Sequence, residues 1–139
     1  MSRKIEDLHP LVQAKCRAHI AACEAAGIYL LITSTYRSPE EQAALYAQGR
    51  TAPGKIVTRA KPGQSMHNYR LAYDVVPLRN GKPVWGTSGE DAKLWAMVGE
   101  LGEAQGLEWA GRWAKFRESP HFEYTGGHPL SYFQNGGAL

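Results

Sequence analysis

A chain of 139 residues with 43% apolar and 21% charged side chains is long enough for one hydrophobic core and too apolar to remain disordered. No run approaches the roughly 18 apolar residues that span a bilayer, so no stable membrane insertion is expected. The opening MSRKIEDLHP has charge but no apolar segment behind it, so no secretory signal is expected, and synthesis in the cytoplasm is. A net charge of +3 is a mild pull toward an anionic partner, and no nucleic-acid partner is expected.

In chain order, His9-Pro10 opens a helical pattern, with proline tolerated in the first turn. Val12, Cys16, Ile20 and Cys23 follow at helical spacing, and Gly27 is the expected stop. The two cysteines are seven residues apart, about 10 Å along a helix, too far for a disulfide, and read as small core side chains. Tyr29 to Tyr36 reads as a strand. Ser38-Pro39-Glu40-Glu41 is a capping box, and its helix runs to about Gln48. Arg50 to Gln64, with two prolines and two glycines, reads as a long loop of the kind that is often functional. Leu71 to Leu78 reads as a buried strand, Asn80-Gly81 as a turn, and Ser88 to Gln105 as an amphipathic helix capped by Ser88. Leu107 to Trp109 and His121 to Tyr124 are short strand candidates, and the tail after Thr125 carries little periodic signal. These elements predict an α+β fold with a small antiparallel sheet flanked by helices.

Two segments carry candidate chemistry. Asp74 lies in an otherwise apolar strand, where an unpaired carboxylate costs several kcal/mol. It must meet an arginine, with Arg37, Arg70 and Arg112 as candidates, or a cation. His67, Asp74 and His121 have the composition of a three-ligand zinc set that leaves a fourth position for water. Glu118, three residues before His121 across Pro120, is placed as the general base that a hydrolytic zinc site needs. Glu123 shares a strand face with His121 and either supports it or pairs with an arginine. Gln42 is placed to hold Arg37 or the loop. No Asp or Glu occurs from Gln42 to Tyr73, whereas Arg50, Lys55, Arg59, Lys61 and Arg70 do. That stretch is either a solvated loop or a basic collar for a carboxylate-rich substrate. His9, His19 and His128 lack partners at metal spacing and read as structural or surface residues. Trp109, Trp113 and Phe116 read as core aromatics rather than as the lining of a groove.

Three blocks in order, Ser34-Thr35-Tyr36-Arg37-Ser38-Pro39-Glu40-Glu41-Gln42, Ser65-Met66-His67 through Ala72-Tyr73-Asp74, and Glu118-Ser119-Pro120-His121-Phe122-Glu123, resemble the LAS-type zinc peptidases, the D-Ala-D-Ala carboxypeptidase (VanY-like) superfamily. Within it the chain is most similar to the L-alanyl-D-glutamate peptidases of phage endolysins and bacteria, from about Thr33 to Tyr124. The resemblance implies a hedgehog/D,D-peptidase-like fold. It implies zinc held by His67, Asp74 and His121, Glu118 as the catalytic carboxylate, Arg37 stabilising the oxyanion, and Ser65 near the substrate. At 139 residues a single zinc peptidase domain over 1–139 is expected, with no separate wall-binding domain, and a monomer. Such an enzyme would act on the peptidoglycan stem peptide after the membrane is permeabilised. There are two departures: Arg70 stands where the family usually has glycine, and Glu118 where many endolysins have aspartate. Arg70 either carries strain at a positive φ or adds to substrate binding. The other functions weighed are a D,D-carboxypeptidase or dipeptidase on D-Ala-D-Ala termini, a non-catalytic wall-binding module with structural zinc, and a glycosidase using Glu118 and Glu123.

Overall fold

Period-two alternation along one strand, β2 (Ala72–Arg79), decides the architecture in the computed structural model, which describes all of residues 1–139. Tyr73 and Val75 point to one face of the sheet and Asp74 to the other. β2 pairs antiparallel with β1 (Tyr29–Ser34) on one side and with β5 (His121–Glu123) on the other. A short hairpin strand, β3 (Lys82–Pro83), pairs with the end of β2, and β4 (Glu108–Trp109) adds to β5. The order β1-β2-β5-β4 gives the small antiparallel sheet expected from the sequence.

Antiparallel partners point the same way, so register sorts the two faces. Tyr73 pairs with Phe122, which pairs with Trp109, and the three rings stack at 5.8 and 6.4 Å between centroids. This face packs under α1 (Pro10–Ala25) and α3 (Glu90–Glu103), whose inward residues include Val12, Cys16, Cys23 and Val98. α3 approaches closely because Gly99 and Gly102 have no side chain. A Cβ there would lie 2.3 Å from the Trp109 ring and 2.5 Å from the Phe122 ring, respectively. His19 bridges α1, β2 and α3. Its Nε2–H donates to the Val98 carbonyl at 2.8 Å, so its Nδ1 accepts from the Tyr73 hydroxyl at 2.7 Å. It is fully buried and structural, and burial lowers its pKa despite the Val98 carbonyl. Both cysteines are buried free thiols.

The other face aligns Ser34 with Asp74 and Asp74 with His121. β1 reaches this register through a bulge between Ile32 and Ser34, an insertion that bends a strand where a side chain must be re-aimed. After β1 the chain enters α2 (Pro39–Ala47), closed by the expected capping box. The Ser38 hydroxyl accepts from the Glu41 N–H at 3.1 Å, and the Ser38 N–H donates to the Glu41 carboxylate at 3.0 Å.

Three expectations change. The N-cap of α3 is Gly89, at φ 60, and not Ser88, whose carbonyl instead accepts from Asp91 N–H at 3.1 Å. β1 ends at Ser34, before Tyr36, because the chain turns toward α2. The tail contains a short helix, α4 (Leu130–Gln134), whose Phe133 is buried against the core.

Candidate metal centre

His67 comes from a one-turn 3-10 helix, Met66–Tyr69, between the long loop and β2. Ser65 caps it, its hydroxyl accepting from the His67 N–H at 3.2 Å. Arg70 closes it in the left-handed conformation, φ 65 and ψ 25, so the strained alternative for this position is the one that holds. The guanidinium lies over the Tyr36 ring at 3.9 Å and donates to the Asp7 carbonyl at 2.8 Å, away from the sheet face that carries Asp74.

Asp74 Oδ1 lies 3.2 Å from both His67 Nε2 and His121 Nδ1. One potential ligand atom from each of the three residues falls within 4.8 Å of the others. The outer nitrogen of each imidazole is committed to an acceptor. His67 Nδ1–H donates to the Thr35 carbonyl at 2.7 Å, and His121 Nε2–H donates to Glu123 at 2.7 Å. Those bonds leave His67 Nε2 and His121 Nδ1 facing Asp74 as the nitrogens whose lone pairs a metal would take, the arrangement in which metal-binding imidazoles are usually held. None of the three arginines weighed as a partner bonds Asp74: Arg70 is engaged elsewhere, Arg112 pairs with Glu103 at 2.9 Å, and Arg37 donates to Gln42.

The electrostatics are those of a cation site. Burial pushes His121 down, but hydrogen bonds to Asp74 and Glu123 overcome it and raise its pKa to about 10. Burial pushes Asp74 up, yet the charge and hydrogen bonds of His67 and His121 hold its carboxyl well below the usual range. A divalent ion would displace the proton that these carboxylates favour on His121. Two imidazoles and a carboxylate, with supported outer nitrogens, fit zinc.

Glu118 stands at the rim, its side chain 53% exposed and its Oε2 3.7 Å from His121 Nδ1. The turn through Ser119-Pro120 is closed by His121 N–H donating to the Glu118 carbonyl at 3.2 Å. Arg37 is stitched to the turn that carries His67. Its N–H donates to the His67 carbonyl at 3.1 Å, and its carbonyl accepts from Asn68 at 2.9 Å. Gln42, fully buried, accepts from Arg37 Nη1 at 3.0 Å and donates to the Ala60 carbonyl at 2.7 Å. It therefore holds both the arginine and the loop. Arg37 Nε is buried with no partner. Burial lowers the pKa of this guanidinium, against the pull of Asp74 and Glu118.

His67, Asp74, His121, Glu118, Arg37 and Ser65 all border one cleft of about 1340 Å³. Trp113 and Phe116 also line it, contrary to their reading as core residues, whereas Trp109 is core as expected. Trp113 packs on His121 with 5.6 Å between ring centroids. The basic stretch does not form a full collar: of its five cations only Arg59 borders the cleft, and Arg50 instead stacks over Tyr46 at 3.9 Å. The sequence reading missed Arg117 and Trp85, which border the same cleft. Adjacency to Glu118 was the one available signal for Arg117, and Trp85 offered none.

Residues 58–124 match the family model described as D-alanyl-D-alanine carboxypeptidase, of the M15 peptidases. The chain is 41% identical over 122 residues to the peptidoglycan L-alanyl-D-glutamate endopeptidase CwlK of Bacillus subtilis (strain 168), covering 84% of this chain and 73% of that protein. It is 31% identical over 133 residues to the L-alanyl-D-glutamate peptidase of Listeria phage A118, covering 89% of this chain but only 41% of the phage protein. Among solved structures, the Serratia marcescens L-Ala D-Glu endopeptidase ChiX shares the fold with a TM-score of 0.62 at 19% identity, covering 87% of this chain and 83% of that one. The vancomycin-resistance D,D-pentapeptidase VanY, solved with Zn(II), shares it with a TM-score of 0.62 at 17% identity, covering 92% and 78%.

Proposed function

The chain belongs to the M15 peptidase family, and on that premise we propose that it is a zinc-dependent peptidoglycan hydrolase that cuts the L-Ala-D-Glu bond of the stem peptide. Two relatives, one bacterial and one from a phage, carry that activity in their names, which favours this bond over the D-Ala-D-Ala terminus. The observation that carries the proposal is the convergence of His67, Asp74 and His121 in an open cleft, with the outer nitrogens of both imidazoles committed elsewhere.

His67 Nε2, an Asp74 oxygen and His121 Nδ1 are the atoms that would hold the metal. When bound, zinc supplies Lewis-acid activation of water and of the scissile carbonyl. Glu118, exposed at the rim and pointing at the same centre, accepts the proton of the attacking water on a carboxylate oxygen and returns it to the leaving amine. Arg37, fixed by Gln42 and by the His67 turn, directs a guanidinium at the charge that develops on the carbonyl oxygen. Ser65 orders the turn that carries His67 and borders the cleft where substrate lies. Glu123 keeps the His121 tautomer.

The competing functions meet specific obstacles. A glycosidase needs two carboxylates flanking the substrate, but Glu123 is buried and bonded to His121. A structural zinc site is closed by four protein ligands, whereas this one has three and faces a cleft. The substrate lies in the cell wall, and no helix of the chain is long and apolar enough to cross a membrane. The test is mass analysis of muropeptides digested with and without a chelator. The expected products end in a free L-Ala carboxyl and begin with a free D-Glu amine, and chelator abolishes them. Release of terminal D-alanine instead, or chelator-resistant cleavage, overturns the proposal.

A further inference from the structure

The cleft contains two cationic side chains that the hydrolytic chemistry does not use, Arg59 and Arg117; Arg117 is turned to the Trp113 carbonyl at 3.2 Å, whereas Arg59 has no acceptor in the chain. Its neighbours on both sides are tied to one buried side chain. Gln42 Nε2 donates to the Ala60 carbonyl at 2.7 Å and lies 3.5 Å from the Thr58 hydroxyl. That hydroxyl in turn accepts from Ala60 N–H at 3.1 Å. Since Gln42 also holds Arg37 at 3.0 Å, one glutamine ties the Arg37 guanidinium to the backbone on either side of Arg59. From the opposite wall Phe116 meets Arg59, ring centroid to guanidinium carbon 5.1 Å. Phe116 is 61% exposed and sits at φ 56. An aromatic residue in that backbone region is strained, and such strain concentrates at sites that contact ligands. Arg59 forms no ion pair with any carboxylate of the chain, so its donors are free.

We propose that Arg59 is a specificity-determining residue that binds the free α-carboxylate of the D-Glu residue on the leaving side of the scissile bond. This rests on the endopeptidase function proposed above. The chemistry selects that group. In the stem peptide D-Glu is linked onward through its side-chain carboxyl, so its α-carboxylate is an anion a few bonds from the scissile nitrogen. A guanidinium takes a carboxylate by two parallel hydrogen bonds, and the Phe116 ring face orients the guanidinium without consuming its donors. The carboxamide form of the same residue lacks the charge and one acceptor oxygen.

The test uses the zinc-loaded protein and two synthetic stem peptides that differ only in carrying the α-carboxylate or the α-carboxamide of D-Glu. Wild type is expected to favour the carboxylate by about 10- to 100-fold in kcat/KM, the size of one charge-assisted hydrogen bond. Arg59→Gln should reduce that ratio to near one by slowing the carboxylate peptide alone, and Arg59→Lys should restore part of it. The carboxamide peptide is the internal control for folding and chemistry. Equal wild-type rates on the two peptides overturn the proposal, as does an Arg59→Gln variant that slows both alike and keeps the ratio. Cleavage at a different bond, read from product masses, overturns the endopeptidase function itself and is distinguishable from either result.

Discussion

Two buried histidines on opposite faces of the same sheet make the most instructive comparison in this molecule. His19 lies on the helix-covered face and is 0% exposed, and His121 lies on the cleft face and is 6% exposed. Each has both ring nitrogens engaged. Their proton affinities nevertheless move in opposite directions. His19 meets a carbonyl and a hydroxyl, so burial wins and the ring is held neutral. His121 is penalised by burial too, but Asp74 and Glu123 raise it to about 10. Burial is therefore not what separates a structural histidine from a cation site. The charge of the partners is, and a single step along β2, from Tyr73 to Asp74, switches one environment to the other.

The largest effects that would break this comparison lie on the cleft face. Asp74→Ala and His67→Ala should each drop bound zinc and peptidase activity to background, measured by elemental analysis and muropeptide release. Retention of stoichiometric zinc in either variant would contradict the assignment. Glu118→Ala should lose about 10²–10⁴-fold in kcat while zinc content stays at wild-type level, because it removes a proton acceptor and no ligand. Glu123→Gln is milder. It preserves shape but removes the charge behind His121, so zinc affinity should fall about 10- to 100-fold in a competitive chelator titration.

The smallest effect sharpens the comparison from the core side. The lowered pKa of His19 stabilises the fold fully above the unfolded value of 6.5 and loses that contribution as pH falls from there through the lower folded value. In the zinc-loaded protein, urea unfolding should thus show wild type losing more stability between pH 7.5 and 5 than His19→Phe. The variant should itself cost about 1–3 kcal/mol at pH 7.5 by leaving Tyr73 and Val98 without their partner. An identical pH dependence in the two proteins would show that His19 is not held neutral.

Much of this was legible in the sequence for local reasons. A lone carboxylate in the run Leu71 to Leu78 demanded a partner, and the Ser38 capping box fixed the start of α2 whatever packed around it. Gln42 could be linked to Arg37 because five residues of a capped turn bring them together. What escaped depends on long-range packing. α4 has only five residues, too few for a helical period to show, and Phe133 finds its place against Tyr69, 5.9 Å away between ring centroids. Trp113 and Phe116 have the composition of core residues, and only the left-handed turn at Phe116 exposes that ring to the cleft. The basic stretch had the right charge but gave no directions. Arg70 turns back to Asp7 and Arg50 to Tyr46, which leaves Arg59 as the one that borders the site.

The most direct measurement is an anomalous difference map from a crystal of the zinc-loaded protein. One peak is expected about 2.1 Å from His67 Nε2 and from His121 Nδ1, with an Asp74 oxygen as third protein ligand, while the Thr35 and Glu123 bonds to the outer ring nitrogens persist. A peak on the opposite nitrogen of either ring, or none near Asp74, would contradict the account.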